Sequence, residues 1–286
     1  MRELSPHSAA NDIMKYVNST YEEMRPIFLQ YDNSYCQLHE DVVGRIVKTG
    51  YGIGTTGGIH RGCYTPSLLF DILVGNCNRG RPAKRMSKNT CYQYGFDKNG
   101  FLISSESFYH TKPISWERVI NEPDYSLGLC YKYGQHELAS ISEEFYNKGR
   151  LEGYHYYQPH KNHSLVVERY WYKNNQLDRM LLLIISAFRL PLDDKGGKNE
   201  PNYSWITKVG GQWCFDFQID QNMLSRFQSQ TFSLAQTATV ESTELYESVN
   251  DPCEFLLKKP KEISFAPGRP YRQNIESPED ATMCSP

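Results

Sequence analysis

The sequence has few long apolar runs and no excess of one charge. Its longest apolar stretch, Met180 to Ile185, is far too short to span a bilayer, and Met1 to Ala10 is polar, without the apolar core of a signal peptide. The 31 basic and 33 acidic residues leave a formal charge of −2, so no global field would attract nucleic acid or an anionic membrane. We therefore expect a soluble cytoplasmic protein that does not contact membranes.

Paired metal-ligand motifs are also missing. None of the eight cysteines forms a Cys-x-x-Cys pair, and a long chain without a secretory signal is expected to keep structural thiols reduced. Cys63, Cys77 and Cys91 fall at equal intervals of fourteen and His60 precedes Cys63 by three, but zinc ligands usually come in tight pairs on a turn. We predict that the protein binds no metal.

Signatures of nucleophilic catalysis are absent too. The chain has neither a G-x-S-x-G elbow nor a family Cys-His signature. His155, His160 and His163 crowd one region, yet His155 is expected on a strand and the other two on a loop with Asn and Lys, so they are interpreted as polar turn residues and not as converging ligands. We therefore predict no catalytic residues, no cofactor and no enzymatic activity.

One phosphate-binding string supports an alternative. Gly52-Ile53-Gly54-Thr55-Thr56-Gly57 matches G-x-G-x-x-G, whose glycines let a backbone approach a pyrophosphate at a helix N-terminus. Arg61 and Pro66 would interrupt such a helix, and alternating strands and helices do not follow. A flexible loop is favoured, and a nucleotide-binding enzyme using Gly52 to Gly57 is the alternative.

A second alternative comes from the one basic cluster, at residues 79–88. Its core, Arg79-Gly80-Arg81-Pro82, resembles an AT-hook, which lays arginine into the minor groove. The usual preceding proline is replaced by Asn78, and only one copy is present. A solvated loop is favoured, with nucleic-acid binding through residues 79–88 as the alternative.

Aromatic residues are abundant, at 13% with 21 tyrosines, and they recur in one short pattern. Aromatic and aliphatic residues flank an Asn-, Lys- or Gly-rich turn in Phe96 to Ile103, Phe145 to Leu151 and Tyr170 to Leu177. Asn and Gly tolerate the positive φ of tight hairpin turns, and the flanking residues suit a half-buried sheet. Each copy predicts a β-hairpin.

Turn signals about thirteen residues apart between Leu138 and Leu190 predict an up-and-down meander. A first hairpin is expected over Tyr92 to Ser107, followed by an insertion over Thr111 to Tyr125. Met180 to Ile185 is apolar at every position and is expected to be a central strand. Gly210-Gly211 is expected to join two strands as a further hairpin.

Helical spacing of apolar residues over Asn11 to Gln30 predicts a helix that Pro26 kinks or ends. A strand is expected over Asp41 to Lys48, and a short helix over Ser67 to Val74. The predicted class is α+β, mainly β: an antiparallel meander of consecutive hairpins with the N-terminal helix packed on it.

A single β-rich domain is expected over residues 1–230, with the hairpin core at about 91–190. Residues 231–286 are dominated by Ser, Thr, Glu and Pro. Such a composition buries little apolar surface to offset the entropy of ordering. We expect an extended or disordered C-terminal arm.

The three hairpin phrases resemble the units of MORN-like and YD-like repeats. They resemble more particularly the bacterial immunity proteins of polymorphic or contact-dependent toxin systems, over about Tyr92 to Leu190. This resemblance implies a protein that neutralises a cognate toxin C-terminal domain by direct binding, in competition between bacteria.

An exposed sheet face rich in tyrosine and carboxylates would suit such binding. Its carboxylates would fit a basic toxin such as a nuclease, so we expect a protein partner and not nucleic acid. The candidate partner-binding residues lie on the meander: Glu143, Glu144, Glu152, Tyr154, Tyr156, Glu168, Tyr170, Tyr172 and Asp178.

Overall fold

The computed structural model describes residues 4–5, 8–54, 60–67, 80–159, 164–174, 176–191, 203–220, 223–238 and 243–262. The described part of the chain is mainly β. Consecutive strands are antiparallel neighbours in a meander that an N-terminal helix accompanies, which confirms the predicted class. Among the described residues, no helix is long and apolar enough to cross a membrane.

The chain divides into two compact units. Unit A comprises Phe28–Leu151 together with residues 266–286, which lie outside the described part; unit B comprises Met1–Ile27 and Glu152–Phe265. Helix α1, Ala10–Tyr31, contributes residues to both. The sequence-based boundaries, by contrast, placed residues 1–230 in one domain.

Unit A contains a second helix and seven strands. Their bounds are α2 Tyr35–Val43, β1 Lys48–Ile53, β2 Arg81–Ala83, β3 Thr90–Phe96, β4 Leu102–Tyr109, β5 Lys112–Glu122, β6 Tyr125–Lys132 and β7 Leu138–Asn147. The strand order is β2-β1-β3-β4-β5-β6-β7. A short 3₁₀ helix, Gly62–Tyr64, lies between β1 and β2 in the chain.

Unit B contains the remaining strands. Their bounds are β8 Arg150–Gln158, β9 Ser164–Lys173, β10 Gln176–Pro191, β11 Tyr203–Asp220, β12 Met223–Ala238, β13 Thr243–Val249 and β14 Cys253–Glu262. They follow one another in order from β8 to β12. Both β13 and β14 then pair with β12, opposite its two halves.

Helix α1 packs its apolar stripe on the sheet of unit B, as expected. Val17 and Met24 are buried, the Tyr16 hydroxyl lies 2.9 Å from Nε2 of His155, and the Tyr21 ring meets Tyr157 edge-on. Pro26 lies inside the helix and does not end it.

Three local predictions are wrong. Residues 41–43, expected in a strand, end helix α2, where Val42 is fully buried; packing overrides the strand preference of its β-branched residues. The expected insertion at 111–125 is the β5–β6 hairpin, with partners β4 and β7. A separate prediction, the short helix at Ser67 to Val74, is not among the three, because its residues lie almost wholly outside the described part of the chain.

The third wrong prediction is the Gly210-Gly211 turn. Strand β11 runs straight through it, with Gly211 opposite Leu183 on β10 and Phe232 on β12. A Cβ at Gly211 would lie 1.9 Å from Cζ of Phe232, so the glycine is needed because the Phe232 ring covers it.

The C-terminal region also differs from the extended or disordered arm that is expected over residues 231–286. Its boundary at residue 230 falls inside β12, and β13 and β14 add a further 17 strand residues. Backbone pairing with β12 organises these polar residues without much apolar burial, since β13 is exposed at most positions. Residues 263–286 lie outside the described part.

Candidate functional site

The first candidate site is a group of buried charges beneath the segment His60–Ser67 in unit A. Arg61, the second residue of the segment, has a positive φ of 59°, a left-handed conformation that is uncommon for a residue with a side chain. The Tyr94 hydroxyl donates to the Arg61 carbonyl at 2.9 Å and accepts from the Cys63 amide at 3.2 Å. The segment is thereby fastened to β3.

The Arg61 guanidinium is fully buried and binds two carboxylates. Its Nε and Nη2 donate to Oε1 of Glu117 at 3.0 and 2.9 Å, Nη1 donates to Oε1 of Glu144, and Nη2 donates to Oγ of Ser142 at 3.1 Å. We call Arg61, Glu117, Ser142 and Glu144 the arginine cluster.

Further groups satisfy the remaining carboxylate oxygens. Ser105 donates to Oε2 of Glu117 at 3.1 Å, and Tyr146 donates to Oε2 of Glu144 at 2.6 Å. His60 lies at the outer side, with Nε2 2.8 Å from Oε1 of Glu117 and 17% of its side chain exposed. The cluster therefore reaches solvent through His60.

The electrostatics keep Glu117 ionised. Burial by itself would raise the pKa of Glu117, but the charges of Arg61 and His60 and their hydrogen bonds outweigh burial and hold that pKa far below its usual range. Buried charges are costly unless they are paired and hydrogen-bonded. Here each carboxylate has several donors, so the cluster is a fixed site for one cation.

Strand register creates the space for this cation. Ser105 is opposite Glu117, and Gly128 is opposite Ser142. A Cβ at Gly128 would lie 2.2 Å from Nη2 of Arg61 and 2.3 Å from Oε1 of Glu117. Only glycine therefore fits beneath the guanidinium.

The second candidate site is an aromatic surface around helix α2 in unit A. The Tyr35 ring stacks on His136 at 4.0 Å and on His39 at 5.4 Å, and it meets Trp116 edge-on. Tyr133 and Ile114, joined by a 2.8 Å backbone hydrogen bond, are half exposed. We call Tyr35, His39, Ile114, Trp116, Tyr133 and His136 the aromatic patch.

A carboxylate lies beside this patch. Glu106 on β4 is opposite Trp116 on β5 and is half-buried, and burial raises its pKa above the usual value. Within the described part of the chain, no residue hydrogen-bonds or pairs with this carboxylate. Among the described residues, Glu106 is thus a partly desolvated acceptor with no cation paired to it.

The nine predicted partner-binding residues are divided between the two units. Glu143 and Glu144 belong to unit A, and the other seven belong to unit B. Five are buried and cannot form an exposed face: Glu143, Glu144, Tyr154, Glu168 and Tyr170. Glu152, Tyr156, Tyr172 and Asp178 are partly exposed.

The burial of the three carboxylates, Glu143, Glu144 and Glu168, has a simple cause. A carboxylate and a tyrosine two residues apart share one face of a strand, and the tyrosine hydroxyl donates to the carboxylate in Glu144–Tyr146 and Glu168–Tyr170. Tyr125 likewise donates to Glu143 at 2.7 Å. These pairs let the charges enter the interior.

The alternative motifs are only partly described. Gly52 and Ile53 belong to β1 and not to a loop, with Gly52 facing the Tyr94 ring; Thr55 to Gly57 lie outside the described residues. In the basic segment, Arg81 starts β2 and Lys84, Arg85 and Lys88 are exposed. Arg79 lies outside the described part.

The histidines that crowd residues 155–163 in the sequence form no ligand group where they are described. His155 is buried against Tyr16, and His160 and His163 lie outside the described residues. No group of three or more potential metal ligands occurs among the described residues.

Sequence reasoning missed Arg61, Glu117 and Ser142. A signal existed: Ser105, Ser107, Ser115 and Glu117 alternate with larger residues, and this period indicates one strand face of small and polar side chains.

No protein-family model, no curated protein and no solved structure matches the chain.

Proposed function

We propose that this protein works by binding another protein through the aromatic patch and Glu106, without turnover. The single observation that carries the proposal is the half-buried Glu106 carboxylate, which lacks a described partner beside exposed Tyr133 and Ile114. Binding energy is usually concentrated in aromatic anchors at a desolvated centre. A cation from the partner would neutralise Glu106 there.

The patch is prepared for such a role. Trp116 is buried beneath Tyr35, so the stacked Tyr35, His39 and His136 rings rest on a packed floor. Ile114 and Tyr133 are 51% and 50% exposed. A rigid surface loses little side-chain entropy when a partner binds it.

The partner we propose is a basic toxin domain that this protein neutralises as an immunity protein. The hairpin phrases support the class, through their resemblance, and Glu106 supports a basic partner. A carboxylate that meets a cation on binding also speeds capture by electrostatic steering. Blocking the toxin's active site or an essential surface would suffice.

Co-expression tests this proposal. The toxin to test is the variable C-terminal domain of a large secreted protein, if the adjacent upstream gene encodes one. We expect this protein to rescue cells from that domain and to co-purify with it, whereas unchanged survival would remove the immunity proposal.

Point variants then test the surface. Tyr133→Asp and Glu106→Gln should each weaken co-purification at least tenfold, because one places a charge in the anchor and the other removes the complementary charge. Tyr246→Asp, at a position in unit B that is 55% exposed, is the control for Tyr133→Asp. Glu254→Gln, which alters an exposed pair with Arg226 in unit B, is the control for Glu106→Gln. If the variants and their controls bind the partner equally well, the interface does not include the aromatic patch.

A further inference from the structure

An exposed group of cations lies at the β2 end of the strand order in unit A. Its members are Arg81 in β2 and Lys84, Arg85 and Lys88 in the loop that leads to β3, and each is exposed. Among the described residues, none of the four forms an ion pair. Met86, between Arg85 and Lys88, is 50% exposed. We call these five residues the basic surface.

The sheet gathers these side chains in a small area. Both β2 and β3 pair with β1, with Ala83 opposite Tyr51 and Thr90 opposite Ile53. The two ends of the loop therefore lie about two strand spacings apart, roughly 10 Å across the sheet. The cations and the apolar side chain of Met86 thus belong to one short loop and its adjoining strand.

The loop has a fixed shape next to Met86. The Thr90 amide donates to the Ser87 carbonyl at 3.0 Å, and the Ser87 amide donates to Oγ1 of Thr90 at 2.8 Å. Thr90 itself is buried. A loop that is already ordered loses little conformational entropy when it binds.

The charge at this edge of the sheet is of one sign. Strands β1, β2 and β3 and the loop between β2 and β3 contain no Asp or Glu. Exposed charges interact over about one Debye length, which is about 8 Å at physiological salt. An anionic surface that approaches this edge therefore meets cations, although the net charge of the whole chain is −2.

Three kinds of anionic partner could meet such a surface, and two of them fit less well. An arginine arm enters the minor groove of DNA as a free segment, whereas Arg81 is held in a strand opposite Ile53. A strand of another protein would need a longer template, because β2 has three residues and one of them is Pro82. Met86 favours the third kind, a lipid surface, because an apolar side chain among cations gains from entering the interface of a bilayer.

We propose that the basic surface binds an anionic lipid bilayer, with Met86 inserted at the boundary between headgroups and acyl chains and the four cations on the lipid headgroups. One such surface gives weak and reversible attachment, because stable anchoring takes two signals. The expectation of no membrane contact rests on the net charge and on the lack of a spanning segment, and neither bears on a local contact. The basic surface shares no residue with the aromatic patch, so either proposal can fail alone.

Co-sedimentation of the full chain with vesicles tests this proposal. The vesicles contain phosphatidylcholine alone, or phosphatidylcholine and phosphatidylserine at roughly 3:1. We expect binding to the anionic vesicles only, and we expect it to weaken as salt rises. No binding to the anionic vesicles at low salt, or equal binding to both kinds, would overturn the proposal.

Charge variants test whether the basic surface makes the contact. Lys84→Gln combined with Arg85→Gln should bind anionic vesicles at least tenfold more weakly, since each cation near an anionic membrane contributes about fivefold. Lys98→Gln combined with Lys112→Gln is the control, because both lysines are exposed in unit A and their loss changes the net charge equally. An equal loss of binding in the two double variants would assign the binding to net charge and overturn the proposal.

Variants of Met86 separate a lipid surface from a nucleic acid. Met86→Gln should weaken vesicle binding at least threefold, whereas Met86→Leu should retain it, because insertion requires an apolar side chain. Vesicle binding that Met86→Gln leaves unchanged would overturn insertion. In a gel shift, an affinity for duplex DNA that persists near physiological salt and falls in the Lys84→Gln, Arg85→Gln variant would assign the surface to nucleic acid instead.

Discussion

Gly128 shows how one residue fixes the arginine cluster. Any side chain there would overlap Nη2 of Arg61, Oε1 of Glu117 and Oγ of Ser142. The guanidinium cannot move aside without leaving buried carboxylates unpaired. The sheet at this point tolerates no Cβ.

We therefore expect Gly128→Ala to lower the free energy of unfolding by about 1–3 kcal/mol, the usual cost of overpacking. Gly44→Ala is the control, since a Cβ at Gly44 would meet nothing closer than 4.0 Å and its φ of −68° is helical. Urea denaturation measures both. A stable Gly128→Ala would mean that the cluster rearranges at little cost.

Glu117 links the same cluster to pH. Its pKa is lowered in the folded state, so it stabilises the fold fully above its unfolded pKa of about 4.3. That contribution is lost progressively as pH falls from there toward the folded pKa. As pH falls, Glu117 is protonated at a higher pH in the unfolded chain than in the folded protein, so acid favours unfolding.

We expect the free energy of unfolding to fall with pH below about 4.3, and to fall less steeply in Glu117→Gln. This variant should already be about 3–5 kcal/mol less stable at neutral pH, because it breaks a buried ion pair. Denaturation at several pH values measures both slopes. Parallel slopes would assign the acid sensitivity to other carboxylates.

At the scale of elements, the turn after β7 is set by two residues with positive φ. Lys148 has a φ of 49° and Gly149 a φ of 80°. Such a pair matches the twist of an antiparallel hairpin. A side chain at Gly149 would be costly, because residues other than glycine rarely adopt a φ of 80°.

Gly149→Ala should therefore lower the free energy of unfolding by about 1–2 kcal/mol, the cost of a left-handed conformation. Gly210→Ala is the control, because that glycine lies in β11 and a Cβ there would come no closer than 3.9 Å to the Ile184 carbonyl. Thermal unfolding compares them. Equal Tm values would contradict the turn geometry.

Elements with local signals could be predicted from the sequence. Helix α1 follows from apolar residues at helical spacing, and the hairpin turn at Gly149 follows from Asn-Lys-Gly. Gly210-Gly211 carries the same kind of signal, but pairing with both β10 and β12 decides its structure. Helix α2 was missed for a similar reason, since burial of Val42 is a tertiary effect.

The arginine cluster could not be predicted for a stronger reason. Arg61 is 56 residues from Glu117 and 83 from Glu144, and only the strand register brings them together. The Glu-x-Tyr spacing is visible in the sequence, but by itself it predicts an exposed face of the sheet. The hydroxyl-to-carboxylate bonds that allow burial depend on the surrounding strands.

At the scale of the whole molecule, the strand order determines which backbone amides are protected from exchange with solvent. In unit B, β10 and β11 have partners along both edges, whereas β13 pairs with β12 and has exposed side chains at most positions. In unit A, β4, β5 and β6 are flanked on both sides, and three-residue β2 ends the order.

Hydrogen exchange should follow this order within each unit. Amides of β10 and β11 should exchange at least a hundredfold more slowly than those of β13, and amides of β5 more slowly than those of β2, because flanked strands open only in larger unfolding events. Mass spectrometry of peptic peptides measures the rates. Fast exchange in β11 around Gly210 would restore the turn that the sequence predicts there, since a hairpin tip exposes its amides to water.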